Sequence, residues 1–324
     1  MRFENHTKEM TIEKFAEEVM DRIRSDESLE GAETVLKTVE KLNSSYLGLK
    51  VRAKGRAIAP SFNLELLYQA FMDGSEDMNG IIKEIKDGIS NAPDFETEKI
   101  FDYNWAKSRL VLRVYDVEWN AEKLADMPYK EMDGLAITYG VLIGGGVGPS
   151  GLCPVNNSLL TAWGVDGSRV HEDAMSSAPK LMPPRINKMY DILSCVPDIN
   201  ADLLPPPEDD TDMTVLTNNG EFYGAGALFY PGIQDQIAGR VGGDYFVLPS
   251  SIHEVLIIPD HVFEARSFLE GMVREVNQEC VTPEERLSDH VYHYDAANRV
   301  FEKAETFEDR ATKEDDNERT VDGI

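Results

Sequence analysis

The sequence predicts an α+β fold of mixed, mostly antiparallel sheets covered by helices. Short alternating or β-branched runs come in neighbouring pairs separated by turn residues, as in hairpins. Stretches with apolar residues every third or fourth position follow those pairs, as in amphipathic helices. Over 324 residues, 42% of them hydrophobic and 9% aromatic, the composition is that of a globular chain long enough for two cores.

From Thr11 to Arg24, Phe15, Val19 and Ile23 recur at fourfold spacing with acids opposite, which predicts a helix. Thr34–Val39, Tyr46–Val51 and Ala57–Phe62 read as a meander of strands, divided by Asn43-Ser44-Ser45 and Lys54-Gly55-Arg56. Leu64, Leu67, Tyr68 and Phe71 stripe the next helix up to Gly74, and Ile81, Ile82, Ile85 and Ile89 stripe the one after. Leu110–Val117, Leu135–Ile143 and Leu152–Val155 read as strands. Helices are expected around Leu159 to Trp163, over Val170–Ser177, and over Arg185–Leu193 after Pro183-Pro184. Thereafter the pattern is strand (Thr214–Thr217), strand (Gly224–Phe229), helix (Ile233–Arg240), strand (Tyr245–Leu248) and strand (Glu254–Ile258). A helix striped by Ala265, Phe268, Leu269, Met272 and Val276 follows, then a hairpin over Val291–Phe301.

The run Pro205-Pro206-Pro207-Glu208-Asp209-Asp210 interrupts all periodicity. It places a stiff acidic connector at 196–212, between an N-terminal α+β domain at 1–195 and a C-terminal ββαββα domain at 213–302. The polar stretch 303–324 is expected to be a disordered acidic tail. A hairpin running into a short helix recurs near Pro60, Pro154 and Pro231, the mark either of a repeated ββα unit or of a common way to cover a sheet.

The formal charge of −27, from 59 acidic against 32 basic residues, disfavours direct binding to nucleic acid or anionic lipid. It suits a basic protein partner, or imitation of DNA that inhibits a DNA-binding protein. Cys153, Cys195 and Cys280 are odd in number and far apart, as expected of a reducing compartment. With no apolar run of spanning length and no basic-then-apolar start, the expected location is the cytoplasm, without membrane association. Ordinary core composition needs no staple, so no cofactor is expected.

Gly146-Val147-Gly148-Pro149-Ser150-Gly151 has the spacing of a dinucleotide-binding loop, but Pro154 and a short strand follow where a helix is required; a hairpin turn is preferred. The strongest catalytic candidates are Ser250, Ser251, His253 and Glu254, a hydroxyl, imidazole and carboxylate group between two apolar strands. Hydrogen-bonded turn serines and an edge histidine are the structural alternative. In Asp289-His290-Val291-Tyr292-His293-Tyr294-Asp295, strand alternation puts His293 and Asp295 on one face as a weak metal half-site. His171-Glu172-Asp173 is explained by acids at a helix start, and the aromatics Phe222, Tyr223, Phe229, Tyr230, Tyr245 and Phe246 by packing.

The stretch Tyr245 to Asp260 resembles the signature of an uncharacterised bacterial family, the DUF5688-like proteins. Gly224-Ala225-Gly226 with Tyr230-Pro231, Val273-Arg274-Glu275-Val276-Asn277 and Ser288 to Asp295 continue the resemblance. The arrangement from Leu135 to Ala178, and again from Gly224 to Asp260, is also distantly similar to the YtpQ-like proteins. Neither resemblance implies an activity. The expectation is therefore a cytoplasmic protein-binding or accessory role without catalysis, with a basic protein as the partner its charge suits; the alternatives are a hydrolase built on Ser250, His253 and Glu254, and an acidic nucleic-acid mimic.

Overall fold

The computed structural model describes residues 10–92, 95–143, 151–194, 213–262 and 266–321, with side chains up to 313. The chain forms two compact units, Met1–Ile100 and Phe101–Ile324.

In the first unit, α1 (Ile12–Ser25) starts where the Thr11 hydroxyl accepts from Lys14 N–H, and it buries Phe15, Ala16, Val19 and Ile23. Strands β1 (Glu33–Lys41) and β2 (Ser44–Arg52) form an antiparallel hairpin from Glu33↔Arg52 to Lys41↔Ser44. Its two-residue loop has Asn43 at φ 66°, a conformation asparagine tolerates. A short β3 (Ser61–Asn63) pairs with β2, narrower than the expected strand Ala57–Phe62. Asn63 then caps α2 (Leu64–Asp73), which stops at Gly74 in the left-handed region. The Asp77 carboxylate caps α3 (Met78–Asn91). Phe15, Leu49, Val51, Leu64, Ile81 and Ile85 meet in one core, so the helical stripes and the strand alternation point at the same interior.

The second unit holds two sheets. In one, β6 (Leu135–Leu142) is flanked by β4 (Leu110–Asp116) on one side and by β5 (Tyr129–Met132) and β7 (Leu152–Pro154) on the other. Every residue of β4 and β6 is buried. Short helices α4 (Tyr103–Ala106) and α5 (Ala121–Leu124) precede β5, and α6 (Asn157–Trp163) and α7 (Gly167–Leu181) follow β7. The other sheet has the order β13-β12-β10-β11-β9-β8. Its strands are β8 (Pro184–Lys188), β9 (Thr214–Asn218), β10 (Tyr245–Ser251), β11 (Glu254–Pro259), β12 (Tyr292–Asp295) and β13 (Val300–Lys303). Helices α8 (Met189–Ser194), α9 (Ile233–Val241), α10 (Arg266–Glu279) and α11 (Ala304–Val321) complete it. All pairings are antiparallel.

Four expectations are corrected. The compact units part at Ile100/Phe101, not at 196–212. Residues 195–212 lie outside the described residues, but β8 before them pairs with β9 after them, from Pro184↔Asn218 to Lys188↔Thr214; one sheet spans the interruption. For the same reason Arg185–Leu193 is not a single helix: its first residues satisfy their backbone along β9, with Pro184 at the strand start where a missing N–H is tolerated. Gly224–Phe229 is a 3-10 helix rather than a strand, so the third instance of the hairpin-helix arrangement lacks its hairpin. Glycine is required there: a Cβ on Gly224 would run into the Thr217 hydroxyl and the His253 carbonyl, and one on Gly226 would lie 3.1 Å from the Leu112 backbone. Finally, residues 304–321 are helical rather than disordered. Arg310 fixes the first turns by ion pairs to Asp295 at 2.9 Å and Glu302 at 2.8 Å. The glycine-rich stretch 144–150 lies outside the described residues.

Candidate functional site

The hairpin between β10 and β11 gathers Ser250, Ser251, His253 and Glu254. Its register shifts between Pro249↔Val255 and Ser251↔Glu254, so an irregularity re-aims the side chains at the turn. The His253 N–H donates to Ser251 Oγ at 3.0 Å, and Ser250 Oγ donates to Glu254 Oε1 at 3.4 Å. The Thr217 hydroxyl donates to the His253 carbonyl at 2.8 Å, and the Ile252 N–H to the Glu285 carbonyl at 2.8 Å. His253 Nδ1 accepts from the Tyr223 N–H at 3.1 Å, and its Nε2 stands 3.5 Å from Glu285 Oε1. In the neutral ring the proton therefore sits on Nε2, facing that carboxylate. Burial lowers the His253 pKa and outweighs the opposing pull of Glu285 and Glu254.

The four residues are neighbours, yet each serine hydroxyl meets a backbone N–H or a carboxylate while the imidazole meets Tyr223 and Glu285. A nucleophilic triad needs hydroxyl and imidazole joined, and this hydrogen-bond pattern joins neither serine to the ring. Tyr223, at φ 54°, links the turn to Arg113 on β4. The Arg113 guanidinium is buried, bonds the Tyr115 and Tyr223 hydroxyls, and lies 4.7 Å from the Tyr223 ring centre. Burial opposes its charge, but the two phenol oxygens prevail and its pKa is raised.

The second cluster lies at the other end of β10 and β11. Asp244 precedes β10 and Asp260 follows β11, and the Asp260 N–H donates to the Asp244 carbonyl at 3.2 Å. Phe246 pairs with both Ile258 and His293, so alternation puts Asp244, Asp260 and His293 on one face. Donor atoms of these three lie within 4.8 Å of one another. The His293 ring is fully buried, stacked on Phe307 at 3.7 Å between ring centres and meeting Phe246 edge-on at 5.2 Å. Neither of its nitrogens makes a hydrogen bond; the nearest carboxylate oxygen, Asp260 Oδ2, is 3.5 Å from Nε2. Each such omission costs about 1–3 kcal/mol in a dry interior. Burial lowers the His293 pKa despite the opposing pull of Asp260, Asp244 and Asp295.

Asp295, the partner expected for His293, turns elsewhere. Its oxygens accept from Asn298 N–H and Nδ2, both at 2.9 Å, and from Arg310. Asp244, Asp260, Glu285 and Arg113 were not singled out as site residues from the sequence, and Tyr223 was read there only as packing. The signal for two of them was available: Asp244 and Asp260 bracket the β10–β11 hairpin symmetrically, which becomes meaningful once the hairpin is in register. An open pocket of about 240 Å³ adds a further group, with Lys130, His171, Tyr230, Asp235, Tyr294 and Arg299 among its lining residues. There His171 Nδ1 lies 3.0 Å from the Tyr139 hydroxyl; α7 begins at Gly167 with no acid in its first turn, so the helix-start role read for His171-Glu172-Asp173 is corrected.

The model of a family of unknown function, DUF5688, matches residues 12–296. The chain belongs to that family. The DUF5688 match runs through both compact units and takes in the His253 turn and all of Asp244, Asp260 and His293; it ends before β13 and α11. No curated protein and no solved structure matches the chain, and the likeness to YtpQ-like proteins is not among these findings. No helix among the described residues is long and apolar enough to cross a membrane.

Proposed function

We propose that this DUF5688 chain is a binding or accessory protein of the cytoplasm that takes an extended segment of a partner protein along the outer edge of β1. One observation carries the reading. Strand β1 is nine residues long and, among the described residues, pairs with β2 alone. Its Val35 and Leu36 are 54% and 37% exposed. The backbone N–H and C=O groups along the outer edge of a strand are a template for strand addition, in which backbone bonds supply affinity and alternate side chains supply selectivity. The charge of −27 favours a basic partner and speeds its encounter.

Affinity capture from native lysate tests this with two baits, the wild-type chain and Val35→Lys/Leu36→Lys. Both substitutions sit on exposed positions and oppose a basic, apolar-contacting strand. A partner recovered near one-to-one on wild type and lost on the variant supports the edge; no partner on wild type, or equal recovery on both, removes it.

A second reading, hydrolysis at Ser250, Ser251, His253 and Glu254, is favoured by the 3.5 Å approach of Glu285 to the His253 imidazole. It requires the ring to turn from the Tyr223 N–H toward a serine. Labelling of the wild-type chain by a fluorophosphonate, abolished by Ser250→Ala or Ser251→Ala, would favour it over the binding role.

A further inference from the structure

The cluster at the ends of β10 and β11 has the features of a cation site rather than of a chance gathering of acids. The imidazole of His293 is walled in by Phe246 and Phe307 without a hydrogen-bond partner on either nitrogen. Its Nε2 points at Asp260 Oδ2 from 3.5 Å, too long for a hydrogen bond of ordinary geometry. That spacing matches two ligands across a tetrahedral ion bound at about 2.1 Å to each. Asp244 is held in place through its Oδ1, which accepts from the Ala296 N–H at 2.9 Å. Among the described residues, no lysine or arginine pairs with Asp244 or Asp260, whereas Asp295 on the same face has Arg310.

We propose that Asp244, Asp260 and His293 together bind one divalent first-row cation of the zinc class. One imidazole nitrogen with two carboxylates is a donor set for a borderline cation, harder than a thiolate site and softer than an all-oxygen cage. Three protein ligands leave one position of a tetrahedral ion for water or a ligand. Asp244 and Asp260 are both half-buried, so the ion enters from the carboxylate side while the aromatic rings close the other.

The full-length chain, stripped with EDTA and titrated with Zn²⁺ by calorimetry and with Co²⁺ by visible absorption, should take up one ion per chain and melt at a higher temperature with it. Asp260→Asn changes no volume at a half-exposed position and should weaken the affinity at least about tenfold, since even outer-shell changes cost that much. Asp244→Asn/Asp260→Asn should abolish the one-to-one step. Far-UV circular dichroism of the metal-free variants should match wild type, which separates loss of ligands from loss of fold. The proposal is overturned by the absence of one-to-one binding to the stripped wild type. It is equally overturned by affinity that Asp260→Asn leaves unchanged, which would locate the ion elsewhere on the acidic surface.

Discussion

The Tyr223 N–H donates to His253 Nδ1 at 3.1 Å, and this bond joins the β10–β11 hairpin to the segment that carries Arg113's phenolic partner. It fixes the His253 tautomer and removes the ring nitrogen a catalytic base would use. His253→Ala leaves this part-buried N–H without its acceptor and should cost about 1 kcal/mol, measured by urea unfolding at neutral pH.

The lowered pKa of His253 also sets a pH dependence. The unfolded chain protonates this imidazole near its ordinary value of about 6.5, while the folded chain resists until lower pH. Between those two values the unfolded state holds more protons, so stability rises with pH across the window and is lost as pH falls through it. The difference in melting temperature between wild type and His253→Asn should therefore shrink on acidification below about 6.5. A gap constant across that window would show that His253 titrates normally in the folded chain.

In the first unit, Asp26 accepts from Lys86 Nζ at 2.8 Å and from Ser28, which brings its pKa down to about 2. The stabilisation is present above the ordinary carboxylate pKa and lost as pH falls through about 2. A carbon-detected NMR titration of the Asp26 carboxyl should give that midpoint, moving up toward the ordinary value in Lys86→Met.

Arg310 stands between the buried carboxylates of Asp295 and Glu302. Arg310→Met leaves both without their counter-charge, and truncating one partner of such a group costs about 3–5 kcal/mol. Denaturant unfolding should show that loss, with α11 becoming accessible to protease ahead of the sheet. An unchanged midpoint would mean that α11 contributes nothing to the fold.

Gly224 and Gly239 should respond in opposite directions to the same change. Gly224→Ala forces a Cβ into the Thr217 hydroxyl and the His253 carbonyl and should cost about 1–3 kcal/mol. Gly239 lies within α9 with open space around it, and Gly239→Ala should add about 0.5–1 kcal/mol by helix propensity.

The helices of the first unit were legible because their stripes are long: Ile81, Ile82, Ile85 and Ile89 mark α3 whatever packs on it. Hairpins with a clear turn were legible too, including β1–β2 and β10–β11. Gly224–Phe229 was not, because a run of small and apolar residues reads as a buried strand until the closeness of Thr217 and Leu112 is known. Residues 304–321 read as a solvated tail because charge was counted along the chain, while Arg310 finds Asp295 and Glu302 through α11's placement on the sheet.

The sequence by itself determined the α+β class, the positions of most elements, the acidic surface, and the gathering of Ser250, Ser251, His253 and Glu254 at one turn. Those follow from local periodicity and from residues adjacent along the chain. Tertiary structure decided which atoms meet: His253 with Tyr223 and Glu285, and His293 with Asp244 and Asp260 in place of Asp295. Strand register and burial set those distances, and both depend on pairings between residues as far apart as Asp244 and His293, which no local pattern encodes.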